Sequence, residues 1–188
     1  MLRDLASKKL ADALKSMQVQ TGRTGLIHGF SGRHEFVDAW QAFAYMPDTQ
    51  AGNQVLSLPI SADRFPAFTG LKPLKIGRVL VALIPSASVA YDDSDRVQIT
   101  VTPPTGAPFD LTLKTQQNRA GGLPVDEVAL LSPVNVAENA DPPPKPWKIE
   151  VTHISDNLAR TVSIGGADVS RIDPAKVNDV AILFSYSI

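Results

Sequence analysis

The chain of 188 residues contains no cysteine. Disulfides, thiolate metal sites and a cysteine nucleophile are therefore excluded. Net charge is almost absent as well: 18 Lys and Arg stand against 19 Asp and Glu, a formal charge of −1. A chain this balanced lacks the positive field that phosphate binding draws on, which speaks against nucleic acid as a partner. No uninterrupted apolar run approaches the ~18 residues of a membrane-spanning helix, so no membrane span is expected. Residues Met1 to Met17 carry charges throughout and lack the apolar stretch of a signal peptide.

What is present is enough to build a core. The composition is 44% hydrophobic and 20% charged, well away from that of a disordered chain. Fifteen prolines and twelve glycines punctuate it and favour many short elements over a few long ones.

Residues 2–19 read as an amphipathic helix. Leu2, Leu5, Leu10, Ala13, Leu14 and Met17 recur at helical spacing, while Lys8, Lys9, Asp12 and Lys15 fall mostly off that stripe. The run Thr21-Gly22-Arg23-Thr24-Gly25 then stops it. Such a helix either packs on its own domain or docks on another chain, a second copy included. Residues 26–46 give a mixed signal, and the spacing of Phe36, Trp40 and Phe43 predicts a short helix from Glu35 to Ala44, ended by Pro47. Residues 1–46 are thus expected to be a helical arm and linker.

Beyond residue 46 the period changes to two. Leu56, Leu58 and Ile60 predict a strand that lies at a sheet edge, because Pro59 cannot donate to a ladder. Leu74 to Ile84 is apolar on both faces over much of its length and is expected to be central. Val97, Ile99 and Val101 alternate, as do Phe109, Leu111 and Leu113, and the stiff run from Pro103 to Pro108 joins them as a hairpin. Further strands are expected at Val128–Leu131, at Trp147, Ile149 and Val151, at Thr161–Ile164, and from Val180 to the last residues. With no crossover helix between them, these strands predict a mainly β, antiparallel fold. The expected architecture for residues 47–188 is a two-sheet β-sandwich, jelly-roll-like, preceded by the amphipathic helix. The run from Ala140 to Pro146 reads as a stiff inter-strand loop.

Chemistry is thinly represented. Gly29-Phe30-Ser31-Gly32-Arg33 has Arg33 where a nucleophile elbow needs its second glycine, and no strand–turn–helix context is apparent around it. His28, His34 and His153 share no metal-ligand spacing. Gly22 and Gly25 are not followed by the Lys-Ser/Thr of a phosphate-binding loop. Asp92, Asp93 and Asp95 are the one metal candidate, since three loop carboxylates offer the oxygen ligands that Ca²⁺ takes. No other cofactor is indicated. The residues favour a binding or assembly module over an enzyme.

Several runs resemble a known family. Arg64-Phe65-Pro66, followed by Leu74-Lys75-Ile76-Gly77-Arg78-Val79-Leu80-Val81-Ala82-Leu83-Ile84-Pro85, resembles a stretch of the C-terminal domain of Tc (toxin complex) insecticidal toxin A subunits. Trp147-Lys148-Ile149-Glu150-Val151 is similar to that family's "W-x-L-x-L" strand, and Val177 to Tyr186 to its terminal strand. Phe36-Val37-Asp38-Ala39-Trp40 is similar to a run found just before that domain. The family's "G-P-Y" is replaced here by Ser86-Ala87-Ser88. The resemblance implies a sandwich that docks a B-type (TcB-like) component, in a protein released as part of a toxin complex. Pore formation belongs to regions that have no counterpart here. Phe65, Phe68 and Trp147 are the candidate partner-binding residues under this reading. The alternative is a stand-alone jelly-roll module for carbohydrate or a receptor, with or without Ca²⁺; a hydrolase on the same scaffold has no supporting motif.

Overall fold

The computed structural model describes residues 26–66, 74–89, 91–115, 122–136 and 145–188. The helix expected at residues 2–19, Phe68 and most of the proline-rich loop lie outside them. The described chain forms β1 (Leu26–Ser31), α1 (Gly32–Glu35), α2 (Val37–Ala44), β2 (Val55–Leu58) and a 3₁₀ turn (Ala62–Arg64). There follow β3 (Leu74–Pro85), β4 (Val97–Thr102), β5 (Phe109–Thr115), β6 (Pro124–Val136) and β7 (Trp147–Ile154). β8 (Ala159–Ile164), β9 (Ala167–Ile172) and β10 (Val177–Ser187) complete it.

Eight strands form one sheet in the order β1-β10-β3-β6-β5-β4-β7-β2, and β8 and β9 form a separate hairpin. Every pairing is antiparallel. As expected, β3 is central, β2 with its following Pro59 is an edge, and β4–β5 is a hairpin. The eight strands form a single ladder with a half-barrel curl. Its physical cause is the junction of β5 with β6. Lys114 pairs with Val125 and Thr115 with Pro124, and this two-pair link carries the ladder from one half of the sheet to the other.

Inside the curl the two halves meet. Trp147 of β7 packs on Phe184 of β10 with ring centroids 4.9 Å apart, and Phe184 also touches Phe30 and Phe65 at 6.0 Å. Phe65 lies 4.9 Å from Tyr186 at a steep angle. Truncating a buried aromatic of this kind to Ala costs about 3–5 kcal/mol, so this cluster is a main stabiliser of the curl. Residues 26–46, read from sequence as arm and linker, belong to the same core: Phe30, Phe36, Trp40, Phe43 and Ala44 are all buried. Helix α2 begins two residues later than expected and ends at Ala44 as expected, its apolar stripe turned onto the sheet.

Three differences have local causes. β1 shows no clean alternation because Gly29 sits where Leu183 of β10 presses closest; a Cβ there would stand 3.1 Å from Leu183 Cγ. In β3 a register shift between Ile76 and Arg78 brings Ile76 to the inner face with Val79, Val81 and Leu83, leaving Leu80, Ala82 and Ile84 on the outer one. The β8–β9 hairpin turns on Gly165 and Gly166, whose φ values of 60° and 86° suit the tight turns that glycine permits.

Candidate functional site

A cleft of about 260 Å³ opens between the Gly52–Gln54 loop, the end of β7 and strand β9. Its floor is fixed by two buried polar side chains. Gln54 Nε2 donates to the Phe43 carbonyl at 2.9 Å, and Gln54 Oε1 accepts the Ile172 N–H at 2.6 Å. Arg171, 1% exposed, donates to the Pro47 carbonyl at 2.8 Å and also reaches the Gln50 carbonyl. Arg160 holds the same loop through Asp48 Oδ1 at 2.7 Å. The walls present Asn53, Thr152, His153, Asp168 and Ser170 to solvent. A bulge explains their exposure: the pairing with β4 steps from Ile99↔Val151 to Gln98↔His153, so Val151 and Ile154 turn inward while the adjacent Thr152 and His153 both stay out. The result is a rigid polar recess able to hydrogen-bond a small polar molecule.

A second polar cluster joins the start and end of the described chain. Ser31 is the N-cap of α1: its Oγ accepts the His34 N–H at 3.0 Å and donates to Asp179 Oδ2 at 2.5 Å. Asp179 Oδ1 accepts the Arg33 N–H at 2.8 Å, and Glu35 Oε1 accepts the Ser31 N–H at 2.9 Å. Burial pushes the Asp179 carboxyl above the usual range, partly offset by these donors. The strand before Ser31 and the helix after it, both unrecognised in the sequence, are present. Even so, the serine hydroxyl is committed to a carboxylate, and the cap accounts for its place. His28 packs edge-on against Phe30 at 4.6 Å, and burial lowers its pKa against the opposing pull of Glu35. It stands apart from His153, which lines the cleft.

The acidic loop is built by internal hydrogen bonds. Asp95, 5% exposed, accepts from the Asp92 N–H at 3.0 Å and from Asn157 Nδ2 at 2.8 Å. Asp92 turns to the Ser94 N–H at 2.9 Å, and the hydrogen bonds from Ser94 hold its carboxyl below the usual range. Arg96 donates to the Asp93 and Asp95 carbonyls. Burial, with Asp95 nearby, pushes the Tyr91 phenol up. Among the described residues, no group of three or more acids or histidines is gathered as a metal would require. Phe65 and Trp147, expected at a partner surface, are 2% and 0% exposed and form the core instead. Both follow the inward register of their neighbours, so packing claims them.

The surface has a different apolar feature. β3 and β6 pair at Arg78↔Ala129 and resume at Ile76↔Val134, so residues 130–133 of β6 loop out opposite Gly77. Leu131 at this excursion is 105% exposed, the most exposed large apolar side chain among the described residues. Its signal in the sequence is Leu130-Leu131-Ser132-Pro133, where two adjacent leucines and a proline break the alternation. Beyond Val125, no described strand pairs with the second edge of β6. No helix among the described residues is long and apolar enough to cross a membrane. Comparison with protein-family models, with curated proteins and with solved structures finds no match.

Proposed function

We propose that this chain is a non-enzymatic assembly domain, gripped by another protein as the C-terminal domain of Tc toxin A subunits grips the B–C component. In this reading the facing halves of the curled sheet serve as the layers of a jelly-roll-like sandwich, a stiff body with one side offered to a partner. The observation that carries it is Leu131, a leucine held fully in solvent on a strand excursion. An apolar anchor of this kind, beside a strand edge that lacks a described partner, suits the buried centre of an interface or the addition of a partner strand. The runs that carry the Tc resemblance supply β3, β7 and β10, and so frame the core behind that surface.

The test is binding of the full chain to a purified B-type component of a Tc toxin, read by light scattering after size exclusion. Complex formation that Leu131→Asp abolishes, with melting temperature unchanged, is expected. A chain that ignores the B-type component, or a Leu131→Asp variant that binds it as well as the wild type does, overturns the proposal.

A second reading rests on the cleft beside His153. Its exposed Asn53, Thr152, Asp168 and Ser170 suit a neutral sugar, in keeping with a carbohydrate-binding module. A panel of free monosaccharides should then raise the melting temperature of the wild type and leave His153→Ala unmoved. A blank panel removes this reading.

A further inference from the structure

The cleft beside His153 lies where two strand edges face one another. β2 covers β7 from Trp147 to Glu150, and past that pairing no described strand lies on the same side of β7. β9 pairs with β8 alone and runs beside β7 without joining it. The Asp173 N–H donates to the Leu158 carbonyl at 3.0 Å, so the odd-numbered residues here turn their main chain toward the β8 side. Ile172, Ser170 and Asp168 therefore turn theirs toward the cleft, and the Ile172 N–H meets Gln54 Oε1 at 2.6 Å. Gln54 also serves the opposite edge. Its carbonyl accepts the Val151 N–H at 3.0 Å, one step beyond the Val55↔Glu150 pair. A single residue thus bonds both edges, as a residue of an intervening strand would. Reading back from it, the chain leaves that line: Gly52 has φ of 95°, and Asn53 Nδ2 donates to Glu150 Oε1 at 2.7 Å. Thr152 and His153 of β7 and Asp168 and Ser170 of β9 flank the space that follows. Its volume of about 260 Å³ matches about two residues of extended chain at strand spacings.

We propose that this cleft takes an extended peptide segment of a partner protein, bonded through its main chain to the edges of β7 and β9, with a lysine or arginine set against Asp168. Charge selects that side chain. Asp168 is exposed and has no ion-pair partner among the described residues. Arg171, the cation lining the cleft, is buried and gives its Nη groups to the Pro47 and Gln50 carbonyls, so it neither neutralises Asp168 nor repels a basic visitor. Glu150 is engaged by Asn53. The peptide runs antiparallel to β7 in continuation of β2 and joins the β8–β9 hairpin to the main sheet, which is recognition by strand addition. Main-chain bonds supply the affinity and the carboxylate the selectivity. This surface is not that of Leu131, which lies on β6, so the two are tested separately.

The probes are end-blocked, fluorescein-labelled hexapeptides of alternating Thr and Val with Lys, Ser or Glu at the third position. They are titrated into the full chain and read by fluorescence anisotropy. The Lys peptide should bind about tenfold more tightly than the Glu peptide, with the Ser peptide between them. Asp168→Asn, with melting temperature unchanged, should erase that order. Methylating the amide nitrogens of the third and fourth residues removes one donor toward each edge and keeps every side chain. That change should weaken binding about tenfold or more. A Lys peptide that fails to bind, that binds equally well when methylated, or whose preference survives in Asp168→Asn overturns the proposal. So does a free monosaccharide that raises the melting temperature while the Lys peptide does not, since the cleft then belongs to a sugar.

Discussion

The hydroxyl of Ser31 donates to Asp179 Oδ2 at 2.5 Å, tying the end of β1 to the start of β10 across 148 positions of sequence. Asp179 is 1% exposed, and burial outweighs its hydrogen bonds in setting its proton affinity. With the native pKa above the ordinary 3.8, the folded chain binds more protons than the unfolded one between those two values. Stability therefore falls as pH rises through that window and is flat above it. Urea midpoints measured against pH should show this slope in the wild type and lose it in Asp179→Asn. Parallel curves for the two proteins would contradict it.

His28 has the opposite sign. Burial lowers its pKa from 6.5, so the unfolded chain binds more protons and stability drops as pH falls through the window below 6.5. His28→Phe keeps a ring against Phe30 and removes the titration. Its stability should exceed that of the wild type increasingly with acidification in that window, as read by thermal melts at matched ionic strength.

Gly32 is required by contact, for its φ lies outside the left-handed region. A Cβ there would stand 2.9 Å from the Val180 carbonyl oxygen and 3.0 Å from Leu56 Cδ2. Gly32→Ala forces β10 backbone or a core leucine to move, at a cost of about 1–3 kcal/mol. Gly52→Ala, with nothing within 4 Å but φ of 95°, isolates backbone strain from crowding. Denaturant titration of both separates the two effects.

Gln54 bridges α2 and the β8–β9 hairpin through one side chain. Gln54→Leu strands the Phe43 carbonyl and the Ile172 N–H, each of which costs about 1–3 kcal/mol when buried without a partner. Loss of stability, together with faster amide exchange at Ile172, is the expected result. Unchanged exchange there would show that the bridge does not hold the hairpin.

Alternation made the strands legible. β4 and β5 carry unbroken inward rows, β3, β7 and β10 carry rows with a single break, and proline after Leu58 marked β2 as an edge. β1 was hidden because its close approach to β10 needs Gly29, which erases the period. β9 was missed although Gly165-Gly166 is a strong hairpin signal, since its strand is mostly exposed and has few apolar residues. The curl was beyond reach for another reason: it depends on two residue pairs between β5 and β6, and pairing partners leave no periodic trace. Site residues fared similarly. Trp147 and Phe65 are partner-binding candidates under the family resemblance, but large aromatics on inward positions are used up by the core. Leu131 is announced only by a break in pattern, and His153 joins its cleft through residues more than a dozen positions away.

The place of β10 has a further consequence for how the molecule is made. Val177–Ser187 lies between β1 and β3, so the slat that joins the two is synthesised after every other described strand. Until then Val79, Val81 and Leu83 have no Ile182 or Phe184 to meet, and a nascent chain carries that greasy seam uncovered. Closure is thereby deferred until β10 has emerged, and with long-range pairing slow, bystander adhesion is the competing fate.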